Sequence, residues 1–233
     1  MKQPILILQQ VEQEPPAMIE QAIADAGWSS QIIMTQTEPV PQSLSSYAGL
    51  IVMGGHMSAN DVHLDFIDRQ IKLLKWCIRN AFPVFAICLG AQLLAKAAGG
   101  EVIPSPVREL GWYPLHPTFF AIDDPLYGEM LDTGLQVFQW HGETFTLPET
   151  ATLLATSPEV LHQAFRLKTG QYGMQFHAEM TEPLIREWIH HGTSESAYLR
   201  EHKVAALLNE IPKSLPVARE YCRRMINAWL KIL

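Results

Sequence analysis

Apolar residues in this chain fall into two kinds of run. Continuous ones occur at residues 4–8 (PILIL), 48–55 (AGLIVMGG) and 82–87 (FPVFAI), with SQIIMT at 30–35 beside them. Runs of this length without polar alternation predict strands buried on both faces. Between them the spacing changes to three and four. Leu64, Ile67, Ile71, Leu74 and Ile78 mark one face of a helix. Residues 15–26 predict another, stopped by Gly27, and LGAQLLAKAAGG after residue 88 carries helix formers up to a glycine stop. Continuous apolar strands separated by amphipathic helices predict a mainly parallel sheet with helices on both faces.

The second half has a different rhythm. Segments 110–115, 135–140, 151–157, 161–167 and 171–177 read as short strands with turns between them. Helices return from about Glu182, and the last runs from about Pro216 to Leu233, with Val217, Tyr221, Met225, Ala228 and Ile232 on one face. There is no linker, repeat or low-complexity tract, so one α/β domain over 1–233 is expected, with a C-terminal helical extension from about residue 193.

Composition narrows the function classes. At 48% hydrophobic and 18% charged, the 233-residue chain can fill a large core. Its net charge of −7, with no Lys/Arg-rich run, disfavours a nucleic-acid or anionic-membrane surface. The first apolar stretch is too short to span a membrane and has no small-residue cleavage site, so a cytoplasmic protein is expected. The three cysteines are an odd number without CxxC spacing, which argues against a disulfide framework and a thiolate zinc site.

One of them, Cys88, stands where the strand 82–87 hands over to a helix. A cysteine in an apolar run is usually a small core residue. Here Ala86 and Gly90 flank it at two residues' distance, the small residues that a sharp strand–nucleophile–helix turn needs. Such a turn lifts the side chain above the carboxyl edge of the sheet, where open α/β sheets bind ligands, and sets it beside a helix N-terminus. Further on, YGMQFHAEM places His177 and Glu179 two apart at a strand end, on one face. Glu179 could orient the imidazole and His177 could take the Cys88 proton. The pair could equally be a polar strand end or two of three metal ligands. No H-x₃-H spacing joins the other histidines. A third segment, VMGGHMSAND, ends a strand in two glycines whose N–H groups can approach a ligand.

Together, MGGHMSAND, FAICLGAQLLAKAAGG, ELGWYPL, FQWHGETFTLP and YGMQFHAEM resemble the class I glutamine amidotransferases, the Cys-His-Glu type, over roughly Ile5 to Trp188. The likeness is strongest to stand-alone domains similar to the amidotransferase part of GMP synthase. It implies a three-layer α/β/α sandwich with a flavodoxin-like central sheet and extra C-terminal helices. It implies glutamine hydrolysis through Cys88, His177 and Glu179, an oxyanion hole of the Gly55 and Leu89 N–H groups, and a substrate site at Gly54, Gln92, Trp140 and His141. No cofactor or metal is called for. The expected partners are glutamine or a γ-glutamyl compound and a separate ammonia-accepting synthetase chain. A γ-glutamyl peptide or amide hydrolase with the same triad, and a non-catalytic binding protein, stay open as alternatives. Two positions depart from the family pattern: His56 stands where Pro usually follows the paired glycines, and Ala86 stands where Gly usually precedes the nucleophile by two.

Overall fold

The computed structural model describes residues 2–128, 135–190 and 204–233. The apolar runs become β1 (Ile5–Gln9), β3 (Gly49–Val52) and β4 (Val84–Ile87), each buried along its whole length, and β2 (Ser30–Met34) flanks them. The helical spacings become α1 (Ala17–Asp25), α2 (Asp65–Arg79) and α3 (Leu89–Ala97). β5 (Val102–Pro114), β6 (His116–Pro117), β7 (Gln136–Phe145), β8 (Ala151–Thr156), β9 (Ala164–Leu167) and β10 (Tyr172–Met174) follow, then α4 (Glu182–His190) and α5 (Val204–Lys231).

Eight strands form one sheet in the order β2-β1-β3-β4-β10-β9-β8-β6, and β5 pairs with β7 in a separate ribbon. The first five strands in that order are parallel, and the last three continue antiparallel. The parallel part has the flavodoxin-like order, with β10 in fifth place after the β5–β9 excursion. Strand alternation sorts the core into two layers. Ile5, Ile7, Ile51, Phe85 and Ile87 pack toward α1 and α5, where they meet Ile19, Ile23, Met225 and Trp229. Leu6, Leu8, Leu50, Val52 and Val84 pack toward α2 and α3. This is the three-layer sandwich.

Three boundaries differ from the sequence expectation. The 48–55 strand ends at Val52, so both glycines lie in the loop beyond it. The 110–115 strand begins eight residues earlier, at Val102. Its first half carries two prolines and is mostly exposed, which a peripheral ribbon tolerates, and the register shifts between Pro104 and Glu109. The last helix does not start at Pro216: α5 runs unbroken through Pro212 and Pro216. Both prolines sit on its exposed side, where carbonyls that lose a helical partner face water, while Leu207, Ile211, Leu215, Ala218, Cys222, Met225 and Trp229 keep one buried stripe. That stripe also replaces the expected face, because Val217 and Ile232 are exposed. Of the expected extension from residue 193, residues 193–203 lie outside the described residues.

Candidate active site

Cys88 caps the N-terminus of α3 with φ +49° and ψ −110°, a backbone conformation that costs energy for any L-residue with a side chain. Hydrogen bonds on both sides hold it there. Its N–H donates to the Met174 carbonyl at 2.8 Å, and its carbonyl accepts from the Gln92 N–H at 3.0 Å. Gly90 makes the turn possible, since a Cβ there would lie 2.2 Å from the Val52 carbonyl oxygen. Ala86 points into the α2–α3 layer, and its methyl is accommodated there. The sharp turn that the flanking small residues predicted is thus built from β4, α3 and the end of β10.

His177 and Glu179 follow β10 in a bent segment with one isolated bridge, His177 to Phe138. The His177 N–H donates to the Phe138 carbonyl at 2.8 Å, which ties this segment to β7. Its Nδ1 lies 2.7 Å from Glu179 Oε1, and both residues are almost wholly buried. With the carboxylate as acceptor, Nδ1 carries the proton and Nε2 is the nitrogen available for chemistry. Burial by itself disfavours the imidazolium of His177. The Glu179 carboxylate and the Cys88 side chain outweigh that cost, and the histidine is held well above its usual value. Trp188 stands edge-on to the imidazole at 4.9 Å and donates from Nε1 to the Gln13 carbonyl at 2.6 Å.

These groups open onto a cavity of about 500 Å³. Gly55, Cys88, Gln92, Trp140, His141 and His177 line it, so six of the nine residues expected at the site meet in one space. Gly54, Leu89 and Glu179 support it from behind. A Cβ on Gly54 would come 2.4 Å from Glu14 Oε2 and 3.0 Å from His177 Cε1, and one on Gly55 would come 2.9 Å from Leu89 Cδ2. The two glycines therefore admit the Glu14 carboxylate and the α3 elbow at close range. His56 also lines the cavity.

The opposite wall is the β5/β7 ribbon. Here the His141 imidazole is held between two groups, with Nε2 at 2.9 Å from Glu109 Oε2 and Nδ1 at 2.9 Å from the Glu143 carbonyl. Glu109 is fully buried and also accepts from Ser157 Oγ at 2.6 Å and Gln163 Nε2 at 2.7 Å. Trp140 stacks on Phe138 with centroids 5.9 Å apart. Gln92 Nε2 donates to the Glu143 carbonyl and to Gln175 Oε1, both at 3.2 Å.

Four residues at the site escaped the sequence: Glu14, Glu109, Gln175 and Trp188. Only Gln175 left a usable signal, since it shares strand parity with His177 and Glu179 in Q-F-H-A-E. The other two thiols, Cys77 and Cys222, are buried away from the cavity. Burial pushes Cys77 up to about 12, and burial reinforced by the Glu179 charge raises Cys222. Among the described residues no cluster of three or more His, Cys, Asp or Glu side chains could hold a metal ion. None of the described helices is long and apolar enough to cross a membrane.

Comparison with known proteins adds the following. The family profile "Glutamine amidotransferase class-I" matches residues 15–187. A glutamine amidotransferase-like protein of Salmonella typhimurium, YfeJ, is 30% identical over 164 residues, covering 69% of this chain and 68% of that one. The glutamine-hydrolyzing GMP synthase of Porphyromonas gingivalis is 34% identical over 143 residues, 60% of this chain but 26% of that protein. The chain therefore matches only about a quarter of that GMP synthase's length. Among solved structures, a glutamine amido transferase from Methylobacillus flagellatus superposes with a TM-score of 0.91 at 29% identity, over 100% of this chain and 96% of that one. One from Thermotoga maritima gives 0.87 at 27% identity, over 99% of each chain.

Proposed function

The chain belongs to the class I glutamine amidotransferases, and from that premise we propose that it hydrolyses the side-chain amide of glutamine to glutamate and ammonia. The observation that carries this is the buried His177–Glu179 pair, at 2.7 Å, facing a cysteine held at positive φ in the cavity.

Cys88 Sγ attacks the carboxamide carbon, and a C–S bond forms as the carbonyl π pair moves onto oxygen. The N–H groups of Gly55 and Leu89 receive that oxyanion. His177, carrying the thiol proton on Nε2, delivers it to the departing nitrogen as the C–N bond breaks, and ammonia leaves. Water then adds to the γ-glutamyl thioester with His177 as base, and the C–S bond breaks to release glutamate. Glu179 holds the ring and offsets the imidazolium charge throughout. Gln92, Trp140 and the His141 backbone border the amino-acid end of the substrate, and Gly54 backs that surface. The partner this chemistry calls for is an ammonia-accepting synthetase.

A second substrate class is favoured by the size of the cavity. Glutamine has ten heavy atoms, whereas about 500 Å³ is space enough for a larger leaving group on the γ-carboxyl. A glutamine-like diazo-ketone should label the protein once, at Cys88, and Cys88→Ala should lose both labelling and turnover. Ammonia release from glutamine, measured beside amine release from γ-glutamyl dipeptides, separates the two substrates. Labelling that persists in Cys88→Ala would refute the nucleophile assignment.

A further inference from the structure

Beyond β10, side chains alternate: Met174, Phe176 and Ala178 enter the core, while Gln175, His177 and Glu179 face the other way. The last two belong to the triad. Gln175 is fully buried among them and has no part in the chemistry so far. Its side chain bridges two groups, with Oε1 accepting from Gln92 Nε2 at 3.2 Å and Nε2 donating to Cys88 Sγ at 3.7 Å.

The two ends of an amide have nearly the same shape, so the direction of this bridge must come from its neighbours. The Glu143 carbonyl can only accept. Gln92 gives it one amide hydrogen at 3.2 Å and presents the other to Gln175, which answers with its oxygen. The amide nitrogen of Gln175 is thereby left facing the sulfur. The same carbonyl receives His141 Nδ1, and His141 in turn is held by the buried Glu109. The Gln175 backbone is anchored as well, by its N–H to the Gln163 carbonyl at 2.8 Å. Cys88 hangs from the neighbouring residue, Met174. Nucleophile and amide are therefore fixed to adjacent positions of one strand end.

We propose that Gln175 is a catalytic residue whose amide N–H donates to the Cys88 sulfur whenever that atom carries negative charge. Charge sits there twice, as the thiolate attacks and as sulfur leaves the second tetrahedral intermediate with the C–S electron pair. Gln175 exchanges no proton, and no bond to it forms or breaks. As a neutral donor it favours the thiolate in both steps, whichever way His177 has moved its proton. An oriented donor to a charged group in a water-poor site is worth more than one between neutral groups.

This assignment rests on Cys88 being the nucleophile. The test uses the full chain, with Gln175→Leu and Gln175→Glu. Site-mapped alkylation of Cys88 by iodoacetamide is followed against pH, together with glutamine turnover and thermal melting. The titratable and charged groups around the sulfur are His177, with Glu179 behind it, and, on the surrounding cavity walls, Glu14, His56, Arg108, His141 and Glu143, and all stay in place in both variants. Half-maximal alkylation should move to higher pH in Gln175→Leu, and further in Gln175→Glu, whose carboxylate repels the thiolate. Turnover in Gln175→Leu should fall about ten- to a hundredfold, the range expected for one hydrogen bond to a charged group. If Gln175→Leu does not fold, Gln175→Met supplies the same readout with an unbranched side chain. An alkylation profile that stays put in folded variants overturns the assignment and leaves Gln175 as a structural bridge. Failure of the nucleophile assignment itself would appear separately, as absent labelling of Cys88 in the unaltered chain.

Discussion

The two walls of the cavity are built by different means. On the elbow side, backbone does the positioning: Cys88 is held at φ +49°, Gly90 lies against the Val52 carbonyl, and Gly54 and Gly55 leave room for their neighbours. On the ribbon side, side chains do it, through the fully buried Glu109 with His141, Ser157 and Gln163 around it. Reactive groups tolerate little displacement, and a backbone turn fixed by hydrogen bonds at both ends moves less than any rotamer. The ribbon has to shape a substrate surface, and a buried polar network can orient a peripheral two-stranded ribbon that the main sheet does not pair with. Damage to one wall should therefore look different from damage to the other.

The largest expected effect lies on the elbow side. His177→Ala should lower turnover by ~10²–10⁴-fold with circular dichroism unchanged, the usual worth of a general base. Glu179→Gln should lose less, since the carboxylate acts only through the ring. Its pH dependence has a definite sign. Burial lowers the imidazole value, and with the carboxylate charge gone much of the opposing attraction is removed. The imidazolium then gives up its proton at lower pH, so activity that depends on it should fade earlier as pH rises. Equal losses in the two variants, or no movement of the alkaline limb, would contradict this division of roles.

A smaller and different effect belongs to the ribbon. Glu109→Gln replaces one of two buried acceptor oxygens by an NH2 donor, so His141, Ser157 and Gln163 cannot all keep their hydrogen bonds, a loss of about 1–3 kcal/mol for a buried polar group left unpaired. Thermal melting should fall clearly and KM for glutamine should rise, while the alkylation profile of Cys88 moves less than in the Gln175 variants. A Glu109→Gln protein that keeps its melting temperature and KM would show that the network has no positioning role.

The smallest effect is at His56, on the elbow wall beside the paired glycines. Proline there would restrict φ beside Gly55 and pre-organise the oxyanion loop. His56→Pro should raise glutamine turnover modestly, well below the ~10²–10³-fold that a whole oxyanion donor is worth, and leave Cys88 labelling unchanged. If turnover falls or stays level in a folded variant, the loop is already held by its own contacts or His56 touches substrate.

The parallel part of the fold was legible because its strands are continuous apolar runs and its helices keep a strict three–four spacing. Both patterns are local consequences of burial on two faces or on one. The boundaries that were missed lie where that signal fails. Ile103–Arg108 is mostly exposed and contains prolines, and Pro216 looks like a helix start when its solvent-facing side cannot be seen. At the site, spacing at strand ends made Cys88, His177 and Glu179 candidates, and their combination with the other family-like segments carried the reading.

What the sequence determined by itself was therefore the layering of the sandwich, the elbow and the parity that puts His177 and Glu179 on one face. These depend on residues no more than a few positions apart. Only the tertiary structure decided that Glu14 comes over Gly54, that Trp188 stands against His177, and that Glu109 reaches His141 across 32 positions. It alone also brings Gln175 to Cys88, 87 positions away, and orients the amide through the Glu143 carbonyl. A buried polar group must find a partner somewhere, but which partner it finds is set by how strands and helices close in space, and the order of residues along the chain carries no direct record of that closure.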